Sequence, residues 1–337
     1  MNIVFLNKNE LVDVLEMTEV IKGVKEAYIE KAAGNVAAWP LVEHQFPELN
    51  AVTDIRSGGV FGSVGIHGAK LLNNFPANVE TGLPVFTGML MVFNSNTGMP
   101  LGVMDASHIT SMRTGASAAI GASALARRNS ETLLLVGVGH QSIYLLGATL
   151  LEMPQIKRVI VCNPFSPSNA VGYVETIRER LAAELGIRTE ATIEASDDIR
   201  EAVGLSDVIL TVTRSTEPLI MKDWLKPGTH LSCIGADMEG KEEIDPEIFR
   251  TAKAFADDAG QCCRVGEMEI PAKLDIISPE AISGEIGQVL AGMIPGRQSE
   301  EEITVFDATG LAALDLVTAK SALALAAIKG KGTVVEM

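Results

Sequence analysis

Two glycines that stand one residue apart, directly after a short apolar run, constrain the fold of this chain more than any other feature. The run is Thr132-Leu133-Leu134-Leu135-Val136, and Gly137 and Gly139 follow it before an apolar, helix-compatible segment that begins at Ile143. This order predicts a buried strand, a tight turn and the start of a helix. Such a turn can hold a pyrophosphate, because glycine lets the backbone come close and the helix start offers free N–H groups.

The glycine turn alone leaves a second interpretation open. Ser142 occupies the position where the usual dinucleotide-binding pattern has a third glycine. A serine is small enough for close packing of the helix on the strand, so this departure is mild. An ordinary strand-to-helix turn without a ligand fits the same residues, and only the rest of the chain can distinguish the two.

Apolar runs alternate with helical segments on both sides of the turn. Strands are predicted at 132–136, 158–162, 189–193, 208–213, 230–234, 255–257 and 300–306. Repeated strand–helix units predict an α/β fold, a doubly wound parallel sheet of the Rossmann type over residues 126–310. Ligands of such sheets lie beyond the carboxyl ends of the strands, where Thr213, Gly235 and Asp237 stand.

The second strand of this region ends at Asn163, where a dinucleotide-binding fold usually has an acidic residue for the adenosine ribose. Asn163 is not acidic, and Pro164-Phe165 supplies no arginine for a ribose phosphate. Ser166 and Ser168 could bind either group. The residues therefore leave the choice between NAD and NADP open.

Residues 1–125 have a different pattern, with two early helices, β-like stretches from about 39 to 104, and an Ala-rich helix to about 127. The last helix, to about Lys329, is apolar enough to pack on this segment. No Gly/Ser-rich linker separates the parts. We expect an α+β domain of residues 1–125, completed by 311–337, closely joined to a Rossmann domain of residues 126–310.

Two cations of the first segment are candidate functional residues. Lys70 stands among small and apolar residues, as on a mostly buried strand, and a buried lysine needs an anionic partner or a lowered pKa. The alternative is a lysine that reaches solvent at a strand end. Arg113 falls near a helix start, where helix N–H groups and a guanidinium can bind a carboxylate together. Its alternative is a structural ion pair with Asp105 or Glu131.

Composition excludes several classes of partner. The net charge of −16 argues against nucleic acid or an anionic membrane, since both need a basic surface. The four cysteines and five histidines show no metal-ligand spacing, so no metal site is expected. The first residues lack the layout of a signal peptide, and no apolar run is long enough to span a bilayer. A cytoplasmic protein with reduced cysteines is the expectation.

Several stretches, taken in order, resemble the ornithine cyclodeaminase/mu-crystallin family. The resemblance covers most of the chain, from about Ile55 to Leu316. The stretches are Gly68-Ala69-Lys70 with Asn73 and Pro76, Gly82-Leu83-Pro84, Thr97-Gly98-Met99-Pro100-Leu101, Met112-Arg113-Thr114-Gly115-Ala116, Gly137-Val138-Gly139-His140-Gln141, Gly235-Ala236-Asp237 with Gly240-Lys241, and Asp307-Ala308-Thr309-Gly310. Such an ordered set is far more specific than one glycine turn.

The resemblance implies a homodimer whose first domain binds substrate and forms the dimer interface, and whose second domain binds NAD or NADP. Family members transfer hydride at the carbon–nitrogen bond of an amino acid or an imine. By position, Lys70 and Arg113 would bind the substrate carboxylate, Lys70 would assist proton transfer, and Asp237 would be the acid/base near the amino nitrogen. The expected cofactor contacts are Gly137, Gly139, His140 and Gln141 along the pyrophosphate, Thr309 and Gly310 near the nicotinamide, and Asn163, Thr213 and Gly235 at strand ends.

Three functions follow from the resemblance. The leading hypothesis is an NAD(P)-dependent amino-acid dehydrogenase or imine reductase, with an amino acid or an imino or oxo acid as substrate. The second is an ornithine cyclodeaminase, which uses NAD catalytically. The third is a mu-crystallin-like binding protein, which the joint presence of Lys70, Arg113 and Asp237 disfavours because storage needs no acid/base. Asp237 with Lys241 does not separate the first two, since both kinds of family enzyme have that pair.

Arg56, the only arginine before residue 70, gives a test of substrate charge. An arginine in the pocket would repel the side-chain amine of ornithine by roughly 1 kcal/mol or more. It would favour a second carboxylate or an oxo acid. The Arg56→Ala variant should therefore raise KM selectively for an acidic substrate in steady-state kinetics. An unchanged KM for that substrate would remove Arg56 from the binding site.

Overall fold

The computed structural model describes residues 2–336, and its N-terminal part is rich in strands. The strands are β1 (Asn2–Leu6), β2 (Val36–Ala38), β3 (Val42–Phe46), β4 (Ala51–Val60), β5 (Ile66–Asn74), β6 (Phe86–Asn94) and β7 (Pro100–Asp105). The helices are α1 (Lys8–Val14), α2 (Met17–Ala32) and α3 (Ala106–Leu125).

Strands and helices alternate through the middle of the chain. The strands are β8 (Thr132–Val136), β9 (Arg158–Cys162), β10 (Thr192–Ala195), β11 (Val208–Thr211), β12 (Thr216–Ile220), β13 (His230–Cys233), β14 (Glu242–Ile244), β15 (Lys253–Ala256), β16 (Gly284–Glu285) and β17 (Thr304–Asp307). The helices are α4 (Ser142–Glu152), α5 (Pro167–Leu185), α6 (Ile199–Leu205), α7 (Ala259–Val265), α8 (Glu269–Lys273) and α9 (Ile286–Leu290). The chain closes with α10 (Ala312–Lys329) and β18 (Thr333–Glu336).

The described residues divide into two units. One contains the chain up to Arg113 together with the segment from Leu311, and the other is Thr114–Gly310. The division falls inside helix α3, whereas the sequence pattern places it after residue 125, at the end of that helix. The roles of the two units as substrate and cofactor domains stay predictions.

The first unit is built on one sheet of order β18-β1-β7-β6-β5-β4-β2, with β3 also paired to β4. The pairs β4–β5, β5–β6 and β6–β7 are antiparallel, and β1 runs parallel to β7. The C-terminal helix α10 returns to pack on β4 and β5 of this sheet. A side chain at Gly68 of β5 would meet Leu316 of α10, so the helix lies close on the strand.

The second unit contains the expected parallel sheet, of order β10-β9-β8-β11-β13-β17-β15-β16. The chain leaves β8 first towards β9 and β10 and then crosses to β11, so the strand order reverses beside β8. A ligand crevice is expected at this reversal, beyond the strand carboxyl ends. The α/β Rossmann-type prediction is confirmed. Several strand boundaries were wrong. Strand β10 begins at Thr192, because Thr189 turns back to bind the Ala191 N–H, while β17 begins at Thr304 rather than at residue 300 and β11 ends at Thr211 rather than at residue 213.

Helix α3 and strand β17 pack too closely for a side chain at Gly121. A Cβ added there would overlap the Phe306 ring, whereas one added at Gly172 of helix α5 would meet nothing within 4 Å. Alanine in a helix is favoured over glycine by up to about 1 kcal/mol. Overpacking a core costs about 1–3 kcal/mol.

We expect Gly121→Ala to destabilise the protein and Gly172→Ala, the matched control, to stabilise it slightly. The measurement is the free energy of unfolding of both variants in urea. A Gly121→Ala variant as stable as the Gly172→Ala variant would contradict the close packing of Gly121 on Phe306.

Candidate active site

The glycine turn after β8 has the geometry that its sequence predicts. Gly137 has φ +102°, and a Cβ there would lie 2.7 Å from the Val212 carbonyl oxygen. Both the backbone angle and the space therefore require glycine. Gly139 differs, because a Cβ added to it meets nothing within 4 Å. This open side of Gly139 is where a ligand can approach the backbone.

Helix α4 starts directly at this turn. Ser142, its first residue, is fully buried and donates from both its N–H (3.1 Å) and its hydroxyl (2.6 Å) to the Gly139 carbonyl. Gln141 precedes the helix without capping it, and its Oε1 is buried with no hydrogen-bond partner among residues 2–336. His140 is exposed, with its ring 5.5 Å from that of Tyr144. An open glycine, a helix start and an orphaned buried amide oxygen fit a bound dinucleotide.

The other predicted cofactor residues lie beyond the carboxyl ends of the same parallel sheet. Asn163 directly follows β9, and Thr213 and Gly235 each stand two residues beyond β11 and β13. Strand order places β9, β8, β11 and β13 side by side. These residues therefore share one edge of the sheet.

Thr309 and Gly310 follow β17 and are held by a carboxylate that sequence reasoning missed. Buried Asp257 accepts hydrogen bonds from the Gly310 N–H (2.7 Å) and the Thr309 hydroxyl (3.3 Å). Asp307 is also buried, and burial together with neighbouring Asp257 raises its pKa to about 8. Asp307 is therefore protonated at neutral pH, which limits repulsion between the two carboxyl groups. An acidic residue directly after the apolar residues 254–256 was the available signal for Asp257.

Asp237 forms a close ion pair in the loop after β13. Its Oδ1 lies 2.6 Å from the Lys241 Nζ, which also donates to the Gly235 carbonyl at 3.2 Å. The Asp237 side chain is 41% exposed. A carboxylate that is held in place but reachable can exchange a proton with a bound amine.

In the first unit, two predicted residues meet on a carboxylate that the sequence did not reveal. Lys70 of β5 is fully buried, and its Nζ lies 2.7 Å from Asp315 Oδ2 and 3.2 Å from the Thr110 hydroxyl. Arg113 Nε donates to Asp315 Oδ1 at 3.1 Å. Burial lowers the pKa of Lys70 to about 8, and Asp315 opposes this shift. The need of a buried lysine for an anion was the signal, but nothing in the sequence pointed to residue 315.

Two expectations about Arg113 were wrong. Its ion-pair partner is Asp315 of helix α10, rather than Asp105 or Glu131. Arg113 is also the eighth residue of the helix that begins at Ala106, so the unpaired N–H groups of the helix start lie two turns away. The guanidinium alone, rather than a helix terminus, provides the positive charge at this position.

Arg56 stands beside this cluster on the neighbouring strand. It is directly opposite Lys70 in the β4–β5 register. Its Nε lies 3.6 Å from Asp54 Oδ1, and burial raises the pKa of Asp54. Three cations thus face two carboxyl groups, of which Asp54 is the more easily protonated. The surplus of positive charge suits an anion such as a carboxylate.

Metal sites and membrane-spanning helices were looked for among residues 2–336. Within that range no three His, Cys, Asp or Glu side chains are grouped so that they could hold a metal ion. The helices there include none with the length and apolar character needed to cross a bilayer.

Comparison with known proteins identifies the family. The family model described as ornithine cyclodeaminase/mu-crystallin family matches residues 1–324. The alanine dehydrogenase of Archaeoglobus fulgidus is 35% identical over 321 residues, 95% of this chain and 94% of that protein. An archaeal alanine dehydrogenase dimer solved with bound NAD has a TM-score of 0.89 at 33% identity, covering all of both chains.

The iminosuccinate reductase of Paracoccus denitrificans, solved with NAD⁺, has a TM-score of 0.90 at 27% identity, again covering all of both chains. Similarity in sequence and in fold therefore extends along nearly the whole chain. This chain belongs to the ornithine cyclodeaminase/mu-crystallin family.

Proposed function

We propose that this protein is an NAD-dependent oxidoreductase that acts on the Cα–N bond of an L-amino acid or of the corresponding imine. The observation that carries the proposal is the pair of buried cations, Lys70 and Arg113, held by Asp315. Relatives that are an alanine dehydrogenase and an iminosuccinate reductase support it. Their substrates share a carboxylate next to the reacting carbon–nitrogen bond.

Lys70 and Arg113 are proposed to bind that carboxylate. Asp315 contacts Arg113 through Nε, and a guanidinium has two further nitrogens with the geometry to bind a carboxylate. Lys70 offers an ammonium that burial makes easy to deprotonate, so it can also take part in proton transfer. Fixing the carboxylate by two cations fixes the position of Cα.

Asp237 is the proposed acid/base at the amino nitrogen, with Lys241 orienting its carboxylate. The residues proposed to hold the dinucleotide are Gly137, Gly139, His140, Gln141, Asn163, Thr213, Gly235, Thr309 and Gly310. Bound NAD supplies the hydride acceptor, and NADH the hydride donor. Asp237 would take a proton from the substrate ammonium, so that the neutral amine can lose hydride from Cα and become an iminium, and would return that proton in the reverse direction.

We also propose that the protein works as a homodimer in the cytoplasm. Val42, Ile55, Leu71 and Met89 form a row of directly paired residues across β3, β4, β5 and β6. Val42 and Met89 are exposed, so this row is an apolar surface suited to a second copy of the chain. The archaeal alanine dehydrogenase is a dimer. All four cysteines are free, which fits a reducing compartment.

The function is tested with a panel of L-amino acids, including alanine, aspartate, ornithine and lysine, with NAD⁺ or NADP⁺. Absorbance at 340 nm and free ammonia are followed in the same wells. The expected result is that both rise together for one substrate and that Asp237→Asn slows both by about a hundredfold, to a residual rate that can still be measured. Ammonia from ornithine without lasting NADH would instead establish a cyclodeaminase. If neither signal appears, and imines or oxo acids with ammonia do not oxidise NADH, a mu-crystallin-like binding protein replaces the proposal.

The role of Lys70 predicts a pH effect that depends on Asp315. Because Asp315 favours the protonated lysine, the Asp315→Asn variant should lower the pKa of Lys70 further, by about one unit or more. Carboxylate binding weakens once Lys70 loses its proton, so the alkaline fall of kcat/KM should begin at lower pH than in the wild type.

Profiles of kcat/KM against pH for both proteins measure this shift. Lys320→Gln, which removes an exposed charge from the same helix, is the control and should leave the profile in place. Identical alkaline limbs for wild type and Asp315→Asn would contradict the assignment of Lys70 to the substrate carboxylate.

A further inference from the structure

Glu243 is a fully buried carboxyl group of the second unit that the proposed chemistry does not use. It belongs to β14, but its two oxygens reach the ends of two other strands. Oε1 accepts the Thr213 N–H at 2.6 Å, and Oε2 accepts the Gly235 N–H at 2.8 Å. The Thr211 hydroxyl donates to Oε2 at 2.6 Å. Since β11 and β13 are neighbours in the sheet, Glu243 joins two adjacent strand ends.

The same hydrogen bonds close the loop that carries Asp237. Glu243 stands at the end of the segment 235–243 and binds the N–H of Gly235 at its beginning. Lys241, inside the segment, binds the Gly235 carbonyl and the Asp237 carboxylate. The Gly235 residue is therefore held through both its N–H and its C=O, and Asp237 is two residues away.

Glu243 is in turn held in place by a second buried carboxyl group. Glu267 Oε1 accepts the N–H groups of Glu243 (2.8 Å) and Ile244 (2.7 Å). The backbone N–H of Met268, next to Glu267, donates to Asp307 at 3.0 Å. Each carboxyl group thus fixes the backbone of the segment that carries the next one. The position of Glu243 is determined independently of Asp237.

Beside the Glu243 carboxylate there is no room for a side chain at Gly235. A Cβ at Gly235 would lie 2.5 Å from the Glu243 carboxyl carbon and 2.5 Å from the Thr213 carbonyl oxygen. Gly235 is not among the glycines with positive φ. Close approach of the Glu243 carboxylate and of the Thr213 backbone carbonyl, rather than a positive φ, is what requires glycine at this position.

We propose that Glu243 is a positioning residue for Asp237: its carboxylate closes the loop 235–243 and sets where the Asp237 carboxylate stands. The inference rests on the proposed function, in which Asp237 is the acid/base. Each oxygen of Glu243 faces a backbone N–H, which can only donate. A glutamine must turn its NH₂ towards one of them, so an amide cannot replace the carboxylate.

The test compares Glu243→Gln with Glu242→Gln. Glu242 is the preceding residue of the same strand, is also buried, and its Oε1 has no hydrogen-bond partner among the described residues. We expect Glu243→Gln to lower kcat at least tenfold, while KM for the carboxylate substrate changes less than twofold. Glu242→Gln should leave both values within twofold. Equal effects of the two substitutions would overturn the proposal.

A double-mutant cycle with Asp237→Asn separates positioning from general damage. If Glu243 acts through Asp237, Glu243→Gln should lower kcat little further in the Asp237→Asn background. Additive losses would show that Glu243 acts elsewhere and would reject the positioning role. If Glu243→Gln does not fold, Thr211→Val takes its place, because it removes one of the three hydrogen bonds that Glu243 accepts from Thr211, Thr213 and Gly235. A smaller loss of kcat is then expected, and it should again be non-additive with Asp237→Asn.

Backbone hydrogen exchange of residues 235–243 tests the loop without relying on activity. Exchange should be at least tenfold faster in Glu243→Gln than in the wild type and in Glu242→Gln. Unchanged exchange would overturn the closure of the loop by Glu243. If the wild type turns over no substrate in either direction, the proposed function fails, whereas the exchange data still decide the role of Glu243 in the loop.

Discussion

The buried carboxylate of Asp315 is the interaction on which the first unit depends. It lies within 2.7 Å of Lys70 and 3.1 Å of Arg113, residues that precede it by 245 and 202 positions. Two cations cannot be buried side by side without an anion, because the loss of hydration exceeds what isolated charges recover in a protein interior. Helix α10 brings that anion onto the sheet. The C-terminal helix α10 thus contributes to the charged cluster of Lys70, Arg113 and Asp315 as well as to the apolar core.

In the second unit, buried carboxyl groups accept hydrogen bonds from backbone N–H groups. A parallel sheet gathers the loops at its carboxyl edge, and their buried N–H groups need acceptors. Glu243 supplies them after β11 and β13, and Asp257 supplies one after β17. Glu267 accepts N–H groups of β14, and Asp307 accepts the N–H of Met268 before α8. Burial raises the pKa of each of these groups. The backbone hydrogen bonds that these groups accept act in the opposite direction, because they stabilise the charged carboxylates.

Local sequence predicted the structure correctly where all of the residues that determine an element lie in one short segment. The run before Gly137 predicts strand, turn and helix, because burial on both faces of a parallel sheet requires continuous apolar residues. Apolar runs of the same kind predicted that Thr213 and Gly235 stand at the carboxyl ends of strands. Local sequence failed for the starts of β10 and β17, which begin three and four residues later than the apolar pattern suggests. It also failed for Arg113, whose partner is remote in the chain.

The sequence by itself determined the alternation of strands and helices, the glycine turn and the candidate residues Lys70, Arg113 and Asp237, since each depends on periodicity, turn chemistry or an ordered set of stretches. Only the tertiary structure decided that Asp315 pairs with Lys70 and Arg113, that Arg56 stands opposite Lys70, and that Glu243 binds Thr213 and Gly235. The physical reason is that the residues next to a carboxyl group in the sequence do not indicate which cation or N–H group it will bind. Which buried donors it must satisfy depends on how the sheet and its covering helices bring distant segments together.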